Sequence, residues 1–506
     1  MNPFPPHSET DSFSLHRQDL TRLLLLSLAL LTVILILQQV VLHDFPNSAD
    51  EFAYLYQAHT FAEGRLANPA HEFQEFLSPF YILTSQEKVF SLFPPGFPVL
   101  LALGVITGIP ALVNPLVGVA IIWTLFYLTF LWRGRRFAWI TVLLLIGSPM
   151  FVFNCASYFA HPVCLLMLIL ALLFMTLALQ NVNFIYLFAA GFCTAFAFIT
   201  RELTTVALGT LPLLWFLWYS SSRVKSLAGM ILGMLPLLIF YLGYNQHLTG
   251  NWLMPPRFLQ ESELYGFGEQ VIKVFDYVEV KKFGPAEALS NTAANLIRLM
   301  VWTIPGLPLA ALYALWKYRS YSLVLAAGAS VGLLVVAYFF YPSAGGNQYG
   351  ARFYFEALGG LCFLGALAVD RILQQETVAG KWGTLILILI WTAVLVLFVN
   401  FANFFYNQIE QRIRIFEYTK HLKNAVVFVG APSGDMTQGD LIRNLPDWEQ
   451  ADVIFAWHLG ARNQLLMQAL PQREFYIFYK MHENERYSVK RIIHRLGEQT
   501  SIGYTE

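Results

Sequence analysis

The sequence predicts an α-helical polytopic membrane protein with a small α/β domain at its C-terminal end. Three observations carry this expectation. Of 506 residues, 57% are hydrophobic and only 13% are charged, with a mean hydropathy of +0.53, which leaves too little polar surface to clothe a water-soluble domain of this size. Apolar runs recur at about the 20 residues that span ~30 Å of hydrocarbon. After residue 406 the pattern changes to short β-branched and aromatic runs separated by polar, helix-compatible segments.

The first apolar run, 20–42, follows the polar segment "MNPFPPHSETDSFSLHRQDLTR" and no small-residue cleavage signal comes after it, so it reads as a retained span. Further runs follow at 111–132, 137–154, 162–180, 184–200, 203–219, 227–245, 295–316, 321–341, 353–370 and 384–402, about eleven spans in all. "RGRR" at 133–136, "SRVKS" at 222–226, "KYR" at 317–319 and Arg371 with Lys381 occupy alternate, short connections. The distribution of basic residues places those connections, and the N-terminus, on the cytoplasmic side. Facing outward are then 43–110, about 155–161, the turn at 200–203, 246–294, 342–352 and the tail from 403. This assignment requires "SLFPPGFPVLLALGVITG" (91–108) to lie at or dip into the interface; the alternative is one extra short span.

In the tail, "NAVVFVGAP" (424–432), "ADVIFAW" (451–457) and "REFYIFYK" (473–480) read as strands and "LGARNQLLMQAL" as a helical segment. The chain thus divides into a membrane domain, 1–406, with 43–110 as its first outer loop, and a small extracytoplasmic domain, 407–506. The latter shows no catalytic constellation, so acceptor contact or a structural cap is the expected role.

Several classes are disfavoured. A formal net charge of zero offers no basic face for nucleic acid. Cys155, Cys164, Cys193 and Cys362 lie in or beside apolar runs and read as buried thiols. No His-Glu-x-x-His, P-loop or dinucleotide fingerprint occurs. A transporter would more often show two similar halves with broken helices in matching places, and no internal repetition is visible. Long loops collected on one face favour an enzyme.

Three stretches carry a resemblance. A first span, then "ADEFAYLYQAHTFAEGRLANP", then "LFPPGFPVLLALG", resembles the polytopic C-type glycosyltransferases, in particular the lipid A aminoarabinose transferases and protein O-mannosyltransferases. "GGNQYGARFYFEALGGL" (345–361) is similar to the Gly-x-Arg-aromatic start of a late span in bacterial relatives. The resemblance covers roughly the first 410 residues as architecture. It implies a C-type glycosyltransferase fold in the bacterial cytoplasmic (inner) membrane. It also implies inverting transfer of a sugar from a polyprenyl-phosphate donor to a lipid, glycan or protein acceptor at the outer face. Ligases and polymerases of lipid-linked glycans share a similar layout and are the alternative within the class; a lipid or sugar transporter, or a non-catalytic scaffold, are the alternatives outside it.

Such a transfer needs a base for the acceptor's proton and cationic groups for the departing phosphate. Asp50, at the head of the family-like motif, is the candidate base. Glu51 either supports Asp50 or joins it in holding a divalent cation, and adjacent carboxylates shift each other's pKa upward. The simpler reading of both is a helix start capped by Ser48 or Asp50. Arg352, in a Gly-rich outer loop, is the first candidate for the donor phosphate, its simpler role being an i, i+4 pair with Glu356. Arg201, beside Glu202 at the outer interface, and Arg257, beside a Pro-Pro pair, are the other two. His161, Tyr349, Glu356 and Trp252 are candidates for substrate contact. Trp252 and its aromatic neighbours equally suit interfacial anchoring.

Overall fold

The computed structural model describes residues 15–259, 265–274, 277–345, 348–374, 378–429, 441–480 and 487–492. All eleven apolar stretches are helical. Among the described residues, seven helices are long and apolar enough to cross a membrane, and eight if one bent pair is a single span. The bent pair falls on the run expected at 295–316: Pro285–Trp302 and Leu307–Lys317 meet at 100°. The cause is local, since "TIPGLP" puts Pro305 where a helical N–H is needed and Gly306 adopts φ 85°, a conformation that ends helices.

The runs 111–132 and 137–154 are joined through one element, Val113–Ile146, which is non-helical at Gly134 (φ 80°, ψ −176°). The rings of Phe126 and Trp139 are 5.1 Å apart; thirteen residues along a straight helix would separate them by about 20 Å, so the chain folds back at Gly134. The arginines of this turn are gathered by acids from two other helices. Asp370 accepts from Arg133 Nη2 at 3.2 Å and lies 3.1 Å from Arg136 Nε, while Asp19 lies 3.5 Å from Arg135 Nη1. One end of the bundle is thereby clasped.

Elsewhere the bundle is drawn together by small residues. The helices Phe184–Phe198 and Arg223–Thr249 cross so closely that a Cβ on Gly191 would sit 1.9 Å from the Met230 carbonyl oxygen, and one on Gly233 2.0 Å from that of Phe188. Gly96–Ile106, the core of the 91–108 stretch, is an 11-residue helix of about 16 Å, roughly half of what crossing the hydrocarbon requires. All four cysteines are buried and free.

At the end opposite the arginine clasp, the first loop carries the helix Ala49–Ala62 and a three-stranded antiparallel sheet in the order 68–69, 88–91, 82–85. A hairpin, Gly268–Val274 with Tyr277–Phe283, projects from the loop after Arg223–Thr249. The last helix runs unbroken from Val378 to Thr419 and leads into a sheet of Ala425–Val429, Val453–Trp457, Glu474–Lys480 and Tyr487–Ile492. The first three strands are parallel, with Ala425–Val429 in the middle, and the fourth pairs antiparallel to the third. All three expected strands are present, although residues 430–432 of the first stretch lie outside the described residues. The short helix Asn463–Ala469 falls in "LGARNQLLMQAL" as expected. The sheet docks on the first loop: Trp457 Nε1 donates to Ser78 O at 2.9 Å, and Phe76 and Leu77 enter its core.

Candidate active site

Loops from six parts of the chain converge at this end. The first of them is placed by how the chain leaves its first helix. A π turn, Leu37–Val41, is followed by His43 and Asp44 at φ 53° and 51°, a left-handed conformation that is costly for residues other than glycine. Tyr158 OH, donating to Asp44 Oδ1 at 2.6 Å, holds that bend. Ser48 then caps the helix Ala49–Ala62, its Oγ accepting from Glu51 N at 3.2 Å. The helix start expected as the simpler reading is therefore real, with Ser48 as the cap.

The two acids separate from one another. Glu51 has no solvent exposure; it accepts from Ser48 Oγ at 3.2 Å and from Tyr158 N at 3.0 Å. Burial pushes its pKa up to about 7, against those two hydrogen bonds and the charge of Arg443. Asp50 instead lines an open cavity, with Oδ2 2.6 Å from Arg352 Nη1. Among the described residues no group of three or more His, Cys, Asp or Glu could hold a metal ion.

Arg352 opens the turn Arg352–Ala357. Its Nε donates to Gly345 O, and its guanidinium lies 4.9 Å from the centre of Phe159 and 5.6 Å from that of Phe353. Ring faces and a carbonyl thus fix the plane of the cation beside Asp50. The i, i+4 pair with Glu356 is not formed. Glu356 is buried and forms an ion pair with Arg201, its Oε1 2.9 Å from Arg201 Nε, with His161 Nδ1 3.2 Å from the same oxygen. Arg201 also donates through Nη2 to Tyr338 OH at 2.8 Å. Arg257 is paired with Glu202, whose Oε1 also accepts from Tyr241 OH at 2.6 Å.

The cavity, about 1010 Å³ with its open mouth, brings together Asp50, His161, Arg201, Arg257 and Arg352. Each arginine has one carboxylate partner, so the cluster is close to electrically balanced while all three arginines line a common space. Beside it lies an apolar groove of about 1330 Å³ lined by Leu238, Trp252 and Phe258, which shares Glu202, Leu203, Arg257 and Tyr341 with the cavity. Trp252 belongs to this groove. Tyr349 is placed elsewhere, fully buried with its ring 4.8 Å from Phe405 and 5.9 Å from Phe153. Glu356 touches the site through Arg201 and His161 and does not line the cavity. Sequence reasoning missed Tyr54, Tyr338 and Tyr341, which line the cavity. Tyr338 and Tyr341 sit in "AYFFYPS" at the end of an apolar run, where a hydroxyl-bearing aromatic was a usable signal.

No protein-family model matches the sequence, and no curated protein matches it. In structure the chain is similar to ArnT from Cupriavidus metallidurans bound to undecaprenyl phosphate, with a TM-score of 0.55 and 13% identity over 93% of this chain and 97% of that one. It is similar to the same protein in the apo state, with a TM-score of 0.54 and 14% identity over 93% and 98%. The oligosaccharyltransferase of Archaeoglobus fulgidus in its apo form gives 0.48 and 11% over 90% and 69%. These neighbours are C-type glycosyltransferases. The chain has the fold of ArnT, as the sequence resemblance implied.

Proposed function

We propose that the protein transfers a sugar from a polyprenyl-phosphate donor to an acceptor at the membrane face opposite the arginine clasp, with Asp50 as base. The observation that supports this best is the Asp50–Arg352 pair facing a cavity that also holds Arg201 and Arg257 and adjoins an apolar groove. The groove suits an isoprenoid chain, and Arg257, common to groove and cavity, stands where that chain's phosphate would arrive.

In the proposed step, Asp50 accepts the proton of an acceptor hydroxyl or amine while that atom forms a bond to the anomeric carbon. The bond from that carbon to the phosphate oxygen breaks, and the electron pair leaves with the phosphate. Arg352, with Arg201 and Arg257, stabilises the charge gathering on the leaving group. A single displacement of this kind inverts the anomeric configuration. ArnT from Cupriavidus metallidurans, with its bound undecaprenyl phosphate, supports the donor class.

The test compares wild type with Asp50→Asn in detergent, measuring transfer from a panel of polyprenyl-phosphate sugars to membrane extract, with elution and melting matched. Transfer by wild type alone is expected. Equal rates for both would remove Asp50 as base, and transfer by neither would count against the proposed donor class.

A further inference from the structure

The residues that lead into Asp50 are gripped by the far end of the chain. Arg412, on the last helix, donates through Nη1 to Asn47 O and to Asn47 Oδ1, the latter at 3.1 Å. Asn47 Nδ2 also donates to Gln408 Oε1 at 3.4 Å, and the Phe45 and Phe416 rings are 5.7 Å apart. Arg443 places its guanidinium 4.0 Å from the centre of Phe45 and 5.5 Å from that of Phe52, on either side of Asp50 in sequence. Leu445 packs into the cluster of Phe52, Ala53 and Tyr56.

Arg443 is itself tied to the C-terminal sheet. The neighbouring Asn444 side chain donates to Phe455 O at 2.6 Å, accepts from Phe455 N at 3.0 Å, and donates to Leu77 O at 3.0 Å. A shift of the sheet therefore moves Arg443, and with it the two phenylalanines that bracket the first turn of the helix Ala49–Ala62. Neither arginine lines the cavity.

We propose that Arg443 and Arg412 are positioning residues for Asp50: the C-terminal part of the chain sets where that carboxylate stands, and so governs transfer without touching substrate. The inference rests on the role given to Asp50 above. Arg201 and Arg257 belong to the bundle and to the loop after Arg223–Thr249, so the groove and its phosphate contacts stay in place when the grip is loosened. The effect falls on kcat and not on KM, and a displacement of about 1 Å at a reacting group costs on the order of 10²-fold.

The experiment compares Arg443→Met, Arg443→Lys and Arg462→Ala with wild type in detergent. Arg462 makes an exposed pair with Glu75 at 3.0 Å in the same interface and serves as the control. Transfer kinetics, melting and peptide-resolved amide hydrogen exchange are measured together. Arg443→Met should lower kcat by about 10- to 10²-fold, leave the donor KM within about twofold, and accelerate exchange over 45–53 with melting unchanged. Arg443→Lys should recover part of the loss, and Arg462→Ala should behave as wild type. Unaltered kcat and local exchange in Arg443→Met would overturn the proposal. So would a general rise in exchange with lowered melting and full kcat per folded molecule, the mark of a purely structural role. If the wild type transfers from no donor, the proposed function falls, and exchange over 45–53 still decides whether the grip exists.

Discussion

Replacing Glu51 by glutamine isolates the consequence of burying a carboxyl group one residue from the candidate base. The side chain has no exposure, and desolvation raises its pKa from 4.5 to about 7 even though Tyr158 N–H, Ser48 and Arg443 favour the anion. At about 1.4 kcal/mol per pKa unit, ionising this group in the folded protein costs about 3 kcal/mol more than in the unfolded chain. The sign follows from the protons held. Between pH 4.5 and 7 the folded protein keeps a proton that the unfolded chain has released, so stability is highest at the acid end of that window and falls as the pH rises through it. Glutamine cannot ionise, and its amide can still accept from Tyr158 N–H and meet Ser48. Glu51→Gln should therefore match wild type near pH 4.5 and exceed it above pH 7 by up to about 3 kcal/mol. Chemical denaturation in detergent, followed by labelling of the four buried thiols as they unmask, gives both curves. A difference between variant and wild type that stays flat from pH 4.5 to 7.5 would refute the reasoning, because Glu51 would then titrate like an exposed glutamate.

Two further outcomes follow from the geometry. Arg352→Ala should lower kcat/KM by about 10²- to 10³-fold, with Arg352→Lys recovering little, since an ammonium cannot lie flat between Phe159 and Phe353 while reaching Asp50; steady-state transfer kinetics that are unchanged in the alanine variant would remove Arg352 from the site. Gly191→Ala, whose new Cβ would strike the Met230 carbonyl, should destabilise by about 1–3 kcal/mol, whereas Gly243→Ala, with nothing within 4 Å of its added Cβ, should not; paired denaturation curves that coincide would contradict the close crossing.

Much of the architecture was legible because membrane spans declare themselves by length and apolarity, with no need for tertiary context. The eleven apolar stretches are all helical for that reason. What hydropathy did not reveal was the bend within 295–316, where the run is continuous but Pro305 and Gly306 break the backbone; composition averages over a feature that two residues decide. The hairpin at 268–283 went unread although "QVIKV" and "YVEVKKF" are rich in β-branched and aromatic residues. In the site, Asp50 and Arg352 were legible from their place in motifs. Their contact was not, since 302 positions separate them and nothing local encodes the pairing. Glu356 shows the limit from the other side. Its spacing suggests a helical pair with Arg352, but it takes Arg201, a partner 155 positions earlier in the chain, because packing of the late span against the turn at 201 overrides helical neighbourhood.

The last helix has a mechanical meaning beyond its role as a span. Its 42 residues run without interruption from Val378 to Thr419, a rod of about 63 Å with Arg412 near its upper end and the C-terminal sheet attached just beyond. A rod transmits angle as well as distance. Each residue along it turns the direction of the next by about 100° and raises it by 1.5 Å, so the sheet is indexed to the bilayer like a key cut to one notch. Sequence length within this segment is therefore under a different constraint from sequence identity. Substitutions along the lipid-facing side leave the phase intact, whereas a single inserted or deleted residue swings the whole sheet away from the first loop and carries Arg412 off Asn47.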